Sequence, residues 1–125
     1  MHENEISLTV MRAAFRVHTT LGPGLLESVY EAALVHELRK AGLQVAAQVP
    51  LPVVYDGVRL ELGFRLDILV EKKVIVEVKS VEGLLDVHHK QLLTYLKLTN
   101  LKLGQLINLN VVSLKDHIVR IVNGL

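Results

Sequence analysis

Gly63-Phe-Arg-Leu-Asp-Ile-Leu-Val-Glu-Lys-Lys-Val-Ile-Val-Glu-Val-Lys79 reads as two strands joined by a tight turn. From Leu60 to Val70 the even positions are Leu60, Leu62, Phe64, Leu66, Ile68 and Val70, all apolar. The odd positions include Glu61, Gly63, Arg65 and Asp67. Period two marks a half-buried strand. The parity survives the turn: Val74, Val76 and Val78 are even and apolar, whereas Glu77 and Lys79 are odd and polar. A hairpin centred on Lys72 places Asp67 opposite Glu77 and Arg65 opposite Lys79. Opposed side chains lie about 4.5–5.5 Å apart at Cβ. Two ionised carboxylates that close repel, and a divalent cation between them removes the cost. Lys79 falls on the same face as Glu77, about 6.5–7 Å along the strand. An Asp followed by Glu-x-Lys on the next strand suits metal-assisted phosphodiester hydrolysis. The carboxylates hold the ion, and the lysine orients a water or stabilises developing negative charge. The solvated face of an ordinary antiparallel hairpin alternates in the same way, so spacing alone leaves both readings open.

Outward from this hairpin, the middle of the chain reads as a three-stranded antiparallel meander. Gln44 to Tyr55 is expected to be its first strand, and Pro50 and Pro52 confine it to an edge or a bulge. Tyr55-Asp56-Gly57-Val58 is a hairpin signal. Two helices precede the meander. Ile6, Val10, Ala13, Ala14 and Val17 recur at helical spacing over residues 4 to about 20, with Asn4 as the expected cap. His18 lies near the end of this helix, where it either suits the dipole or serves a site. After the break at Leu21-Gly-Pro-Gly24, a helix should run from Leu25 to Ala41 and close at Gly42. Glu27 sits in its first turn, on a stripe with Tyr30, Leu34, Leu38 and Ala41. A carboxylate in an apolar stripe needs a partner. A partly exposed glutamate that complements the dipole is the other reading.

Beyond the hairpin a helix is expected from about Leu84 to Asn100. Leu84, His88, Gln91, Tyr95 and Leu98 share one of its faces, and Gln91 and Tyr95 are one turn apart. His88 and His89 project about 100° apart and make a poor metal pair. Lys102 to Leu114 is apolar on both parities and reads as a strand buried on both sides. Asp116 to Val122 is read as a last strand.

Size and composition set bounds. The chain has 125 residues, which is one domain able to bury roughly two-thirds of its unfolded surface. No apolar run approaches the ~20 residues of a membrane span, and the polar start Met-His-Glu-Asn-Glu is unlike a signal peptide. The chain has no cysteine, which excludes disulfides and thiolate metal sites and favours a cytoplasmic place. A formal charge of +1 is not the footprint of a non-specific nucleic-acid binder. Two Phe, three Tyr and no Trp leave little for base stacking.

Several blocks together resemble a known family. Val17-His18 and Leu21-Gly-Pro-Gly-Leu-Leu-Glu-Ser-Val-Tyr30 look like the signature of the GxxExxY proteins, with Gly24, Glu27 and Tyr30 as its named positions. Gly63-Phe-Arg-Leu-Asp67, Val76-Glu-Val-Lys79 and Gln91-Leu-Leu-Thr-Tyr-Leu96 follow in that family's order. Gly104-Gln-Leu-Ile-Asn-Leu-Asn110 and Arg120-Ile-Val-Asn-Gly124 resemble its usual ending, so the likeness covers nearly the whole chain.

The family belongs to the PD-(D/E)xK nuclease-like superfamily. The resemblance implies an α/β (α+β), restriction-endonuclease-like core: a central mixed sheet with the meander, flanked by helices. It implies Asp67, Glu77 and Lys79 as the core motif and Glu27 as an added metal ligand. Gln91 and Tyr95 resemble the Gln-x-x-x-Tyr helix of the RecB-like branch. One departure is Leu66, where many members have proline before the aspartate.

The expected activity is therefore hydrolysis of DNA or RNA with Mg²⁺ or Mn²⁺. Asp67, Glu77, the Val78 carbonyl and Glu27 would hold the ion. Lys79 would orient the attacking water, and Gln91 would position it or a phosphate. His18, Tyr30, His88 and Tyr95 would support the site. So small a catalytic domain is expected to need a second copy or a partner protein to hold nucleic acid. The competing readings are a non-catalytic module that binds nucleic acid or protein, and a stable dimeric domain whose polar face is only solvated.

Overall fold

A computed structural model describes residues 1–61 and 63–125. Leu62, one of the apolar positions in the expected alternation, lies outside the described residues. The helices are α1 (Glu3–Leu21), α2 (Glu27–Lys40) and α3 (Asp86–Thr99). The strands are β1 (Val45–Pro50), β2 (Val53–Tyr55), β3 (Val58–Leu60), β4 (Arg65–Val70), β5 (Val74–Lys79), β6 (Leu103–Asn108) and β7 (Ile118–Val122). Five strands form one mixed sheet in the order β1-β4-β5-β6-β7, and β2 and β3 form a separate ribbon. Only β5 and β6 run parallel; the other neighbours in the sheet are antiparallel. A parallel neighbour needs a crossover, and α3 supplies it.

Both faces of the sheet are covered. α1 and α2 pack Ile6, Val10, Ala14, Tyr30, Leu34 and Leu38 against Ile68, Val70, Val74, Val76, Val78 and Ile107. On the other face α3 packs Leu92, Tyr95 and Leu96 against Leu66, Ile75 and Leu106. Of the two readings left open for the hairpin, the merely solvated polar face does not hold, and β5 is more than half-buried. β5 is buried from Val74 to Val78, because α3 folds back over its odd-numbered side. β6 is buried along its whole length, as its two apolar parities demand, but it is shorter than the expected strand and ends at Asn108.

The hairpin register is the expected one: Ile68 faces Val76, Leu69 faces Ile75 and Val70 faces Val74. Regular pairing stops at Ile68. Arg65 does not pair with Lys79; it lies opposite Pro50 of β1, and its guanidinium donates to the Gln48 carbonyl at 3.4 Å.

The expected strand over residues 44–55 is two strands. β1 ends at Pro50, and Val53–Tyr55 joins Val58–Leu60 through Asp56 and Gly57, whose φ values of 52° and 72° suit a tight hairpin turn. β1 is an edge strand, in keeping with its proline. The caps also differ from expectation. His2 caps α1, its Nδ1 accepting from the Asn4 N–H at 3.0 Å. Asn4 itself lies within the helix, and its side-chain oxygen accepts from Arg120.

Period two fails at one place in β4. Leu66 packs on the α3 side, yet Ile68 packs on the α1–α2 side. Residues two apart in a regular strand share a face. The edge strand slips phase at the same level. Its pairing with β4 runs from Val45 to Ala47, skips Gln48 and resumes at Val49. Gln48, which stands opposite Asp67, has a φ of 54°. Asp67 thus lies where the chain crosses from one face of the sheet to the other.

Candidate active site

The site begins with the loop before α2. Gly22 and Gly24 have φ values of 68° and 96°, which side chains with a Cβ resist. Tyr30 is fully buried, and its hydroxyl donates to the Gly22 carbonyl at 2.6 Å and accepts from the Leu25 N–H at 3.1 Å. Ser80 Oγ donates to the Leu25 carbonyl at 2.5 Å. Gly24 N–H donates to Asn110 Oδ1 at 3.0 Å. These bonds fix where α2 starts, and Glu27 is its first residue. Glu27 is exposed, so the expected carboxylate inside an apolar stripe is corrected: the first turn projects past the core.

The hairpin supplies the next two acids. Asp67 N–H donates to Glu77 Oε1 at 3.3 Å, and Asp67 Oδ2 accepts from the Val78 N–H at 2.9 Å. Each carboxylate is therefore held against the other's strand. Glu77 is only 5% exposed. Its burial, then the Asp67 charge beside it, push its carboxyl up to about 9, while the Lys79 charge acts weakly in the opposite sense. Lys79 is half-buried two residues along, on the same side of β5. Tyr95 of α3 packs with Leu66 and Ile75, and its phenol is raised by its burial and then by the charges of Glu77 and Asp67. Phe64 meets the Tyr95 ring edge-on, with centroids 6.4 Å apart.

Glu27, Ser28, Glu31, Gln48, Asp67 and Val78 line a recess of about 230 Å³. A second recess of about 390 Å³, lined by Leu25, Leu26, Glu27, Ser28 and Ser80, adjoins it through Glu27 and Ser28. Three of the expected site residues, Glu27, Asp67 and Val78, thus meet at one opening. Glu77 adjoins them through its bond from the Asp67 N–H, and Lys79 follows two residues along β5.

Three residues of this opening, Ser28, Glu31 and Gln48, carried no expectation. Glu31 is half-buried and accepts from Gln48 Nε2 at 2.7 Å. Its burial raises its carboxyl, the Gln48 bond opposes this, and the charges of Asp67 and Glu27 add to the rise. The signal for Glu31 was present: it follows Glu27 by four residues and so faces the same way from the helix. Gln48 gave no signal, because its place depends on the break in the edge strand.

The remaining expected residues have other surroundings. His18 Nε2 lies 2.7 Å from the Val111 carbonyl, tying the end of α1 to a distant loop rather than lining either recess. His88 Nδ1 accepts from the Leu85 N–H at 3.0 Å and so caps α3. Gln91 is exposed on α3, one turn before Tyr95. Tyr30 acts on the loop, as above. Among the described residues no group of three or more His, Cys, Asp or Glu side chains is gathered as a ready cage for an ion.

The donor set nonetheless fits a hard cation. Carboxylate and carbonyl oxygens are what Mg²⁺ and Mn²⁺ take, and Mg²⁺ usually binds through one or two carboxylates and keeps several waters. The buried Glu77 carboxyl beside Asp67 is a pair that a nearby positive charge would let ionise. A protein-family model described as the PD-(D/E)XK nuclease superfamily matches residues 4–121. The five-strand mixed sheet flanked by helices agrees with a restriction-endonuclease-like fold. No curated protein and no solved structure matches the chain.

Proposed function

The chain belongs to the PD-(D/E)XK nuclease superfamily, and from that premise we propose that it is a Mg²⁺- or Mn²⁺-dependent nuclease of the GxxExxY type. The observation that carries this reading is the juxtaposition of Asp67 and Glu77 across the β4–β5 hairpin, with Lys79 on the same strand as Glu77. Asp67, Glu77, the Val78 carbonyl and Glu27 are the groups to hold the ion. A divalent cation, when bound, polarises phosphate oxygens and lowers the pKa of a water.

The chain's own residues do the rest. Asp67 is held in place by the Val78 N–H. Glu77 must give up its proton to serve as a ligand, and the Lys79 charge favours that loss. The Lys79 ammonium orients the attacking water and offsets negative charge that develops on the phosphate. Exposed Gln91 meets the same phosphate or water from α3. With a net charge of +1, the chain holds nucleic acid by local contacts, and a second copy or a partner widens the grip.

The test is cleavage of labelled single- and double-stranded DNA and RNA with Mn²⁺. The wild type should cut, and Lys79→Ala should cut about a hundredfold more slowly or less. Equal inertness of both proteins, with no Mn²⁺ binding by either, overturns the nuclease reading. Nucleic-acid binding that falls steeply with salt and survives Asp67→Asn, without cleavage, would instead identify a non-catalytic module on the same fold.

A further inference from the structure

The edge strand loses its regular pairing with β4 where it passes the recess. Ala47 faces Ile68, which packs toward α1 and α2. Directly opposed residues point to the same side of a sheet. In a regular strand the next residue, Gln48, would therefore point toward α3. Its backbone instead takes a φ of 54° and its pairing with Asp67 is lost. A non-glycine residue in that region is uncommon and persists only where its surroundings hold it. The consequence is visible in the side chain. Gln48 Nε2 reaches α2 and donates to Glu31 Oε1 at 2.7 Å. Among the described residues, Gln48 is the only hydrogen-bond partner of the Glu31 carboxylate.

We propose that Glu31 is an additional ligand for the divalent cation and that Gln48 is its positioning residue. The proposal rests on the nuclease reading above and adds to it. Glu31 and Glu27 are one helical turn apart and face Asp67 across the recess. Gln48 can only donate through its nitrogen, so it takes one carboxylate oxygen of Glu31 and leaves the other for the recess. This is the usual division of labour around a metal: one group ligates while a neighbour fixes its orientation. The strained backbone of Gln48 is then the means by which an edge strand delivers a donor to a helix.

The test is Mn²⁺ affinity of the whole chain, read by calorimetry and by the spin-resonance signal of free Mn²⁺, beside the melting temperature of the cation-free protein. Glu31→Gln should weaken Mn²⁺ binding at least about tenfold, and Gln48→Gly should weaken it by a similar factor. Gln48→Gly should melt no lower than the wild type, since glycine accepts this φ without strain. Gln48→Asn, which tolerates the same backbone but is one methylene too short, repeats the test if the glycine variant folds poorly. Glu37→Gln, on the same helix but bonded to Arg16 and Lys40, should leave affinity unchanged. Wild-type affinity in Glu31→Gln overturns the ligand role and leaves the nuclease reading standing. Wild-type affinity in both Gln48 variants overturns the positioning role. A wild type that binds no Mn²⁺ overturns the nuclease reading and this inference together.

Discussion

At the scale of single residues, Glu77 is the group whose chemistry is most constrained. Its carboxyl moves from the usual 4.5 to about 9, chiefly because it is buried and secondly because Asp67 is charged beside it. Between these values the folded chain keeps a proton that the unfolded chain has lost. The stability gained is complete below 4.5 and drains away as pH rises toward 9. Without cation, the melting temperature should fall from about pH 5 to about pH 8. Glu77→Gln, neutral at every pH, should flatten that fall and melt several degrees higher than the wild type at the upper end. A variant that keeps the full slope would assign the dependence elsewhere. Tyr30 is a second residue with a definite role. Tyr30→Phe leaves the Gly22 carbonyl and the Leu25 N–H without their partner, and should cost about 1–3 kcal/mol in urea unfolding. A loss near zero would mean that the loop holds itself. Asp67 and Glu77 could be brought together from sequence because β-strand register is arithmetic once the turn is fixed, whereas the expected Arg65–Lys79 pair fails where regular pairing stops. Glu31 could have been found from its i+4 spacing to Glu27, but Gln48 could not, since its meeting with Glu31 depends on a non-local break in the edge strand.

At the scale of elements, the decisive contact outside the hairpin is α3 on β6. Gly104 leaves room there for the fully buried Leu92: a Cβ at Gly104 would come within 2.9 Å of Leu92 Cδ1. Gly104→Ala should therefore destabilise the fold by about 1–3 kcal/mol through overpacking. Pairing it with Leu92→Val should recover part of the loss in denaturant titrations, and strict additivity would deny the contact. The helices were legible because their apolar spacing is local and repeated. β6 was legible because both its parities are apolar. The long strands read over residues 44–55 and 60–70 failed for a physical reason. Apolar residues continue through Val53, Val54 and Val58, which belong to a ribbon outside the sheet, and Gly63, with φ of 77°, ends one extended run before the next begins. Alternation reports which side is apolar, not which sheet the strand joins. The covering of the polar face by α3 could not be read from alternation, since Glu77 reads as a surface residue until the crossover helix closes over it; only the likeness of Gln91 and Tyr95 to a helix that lies against the site pointed to it.

At the scale of the whole molecule, topology brings the acids together. The antiparallel turn at Glu71 and Lys72 sets Asp67 beside Glu77, and the parallel β5–α3–β6 crossover packs Tyr95 against Leu66 and Ile75 of the same two strands. The packing of α2 against β4 and β5 brings Glu27 and Glu31 to the same opening. Asp67 serves both sides because the strand crosses faces at that point. No helix among the described residues is long and apolar enough to cross a membrane. The account's central claim is that this junction holds a divalent cation. A crystal of the wild-type chain soaked in Mn²⁺ tests it most directly. An anomalous-scattering peak bounded by Asp67, Glu77 and the Val78 carbonyl is the predicted result. Full soaking with no peak there, or one only at a surface carboxylate elsewhere, would contradict it.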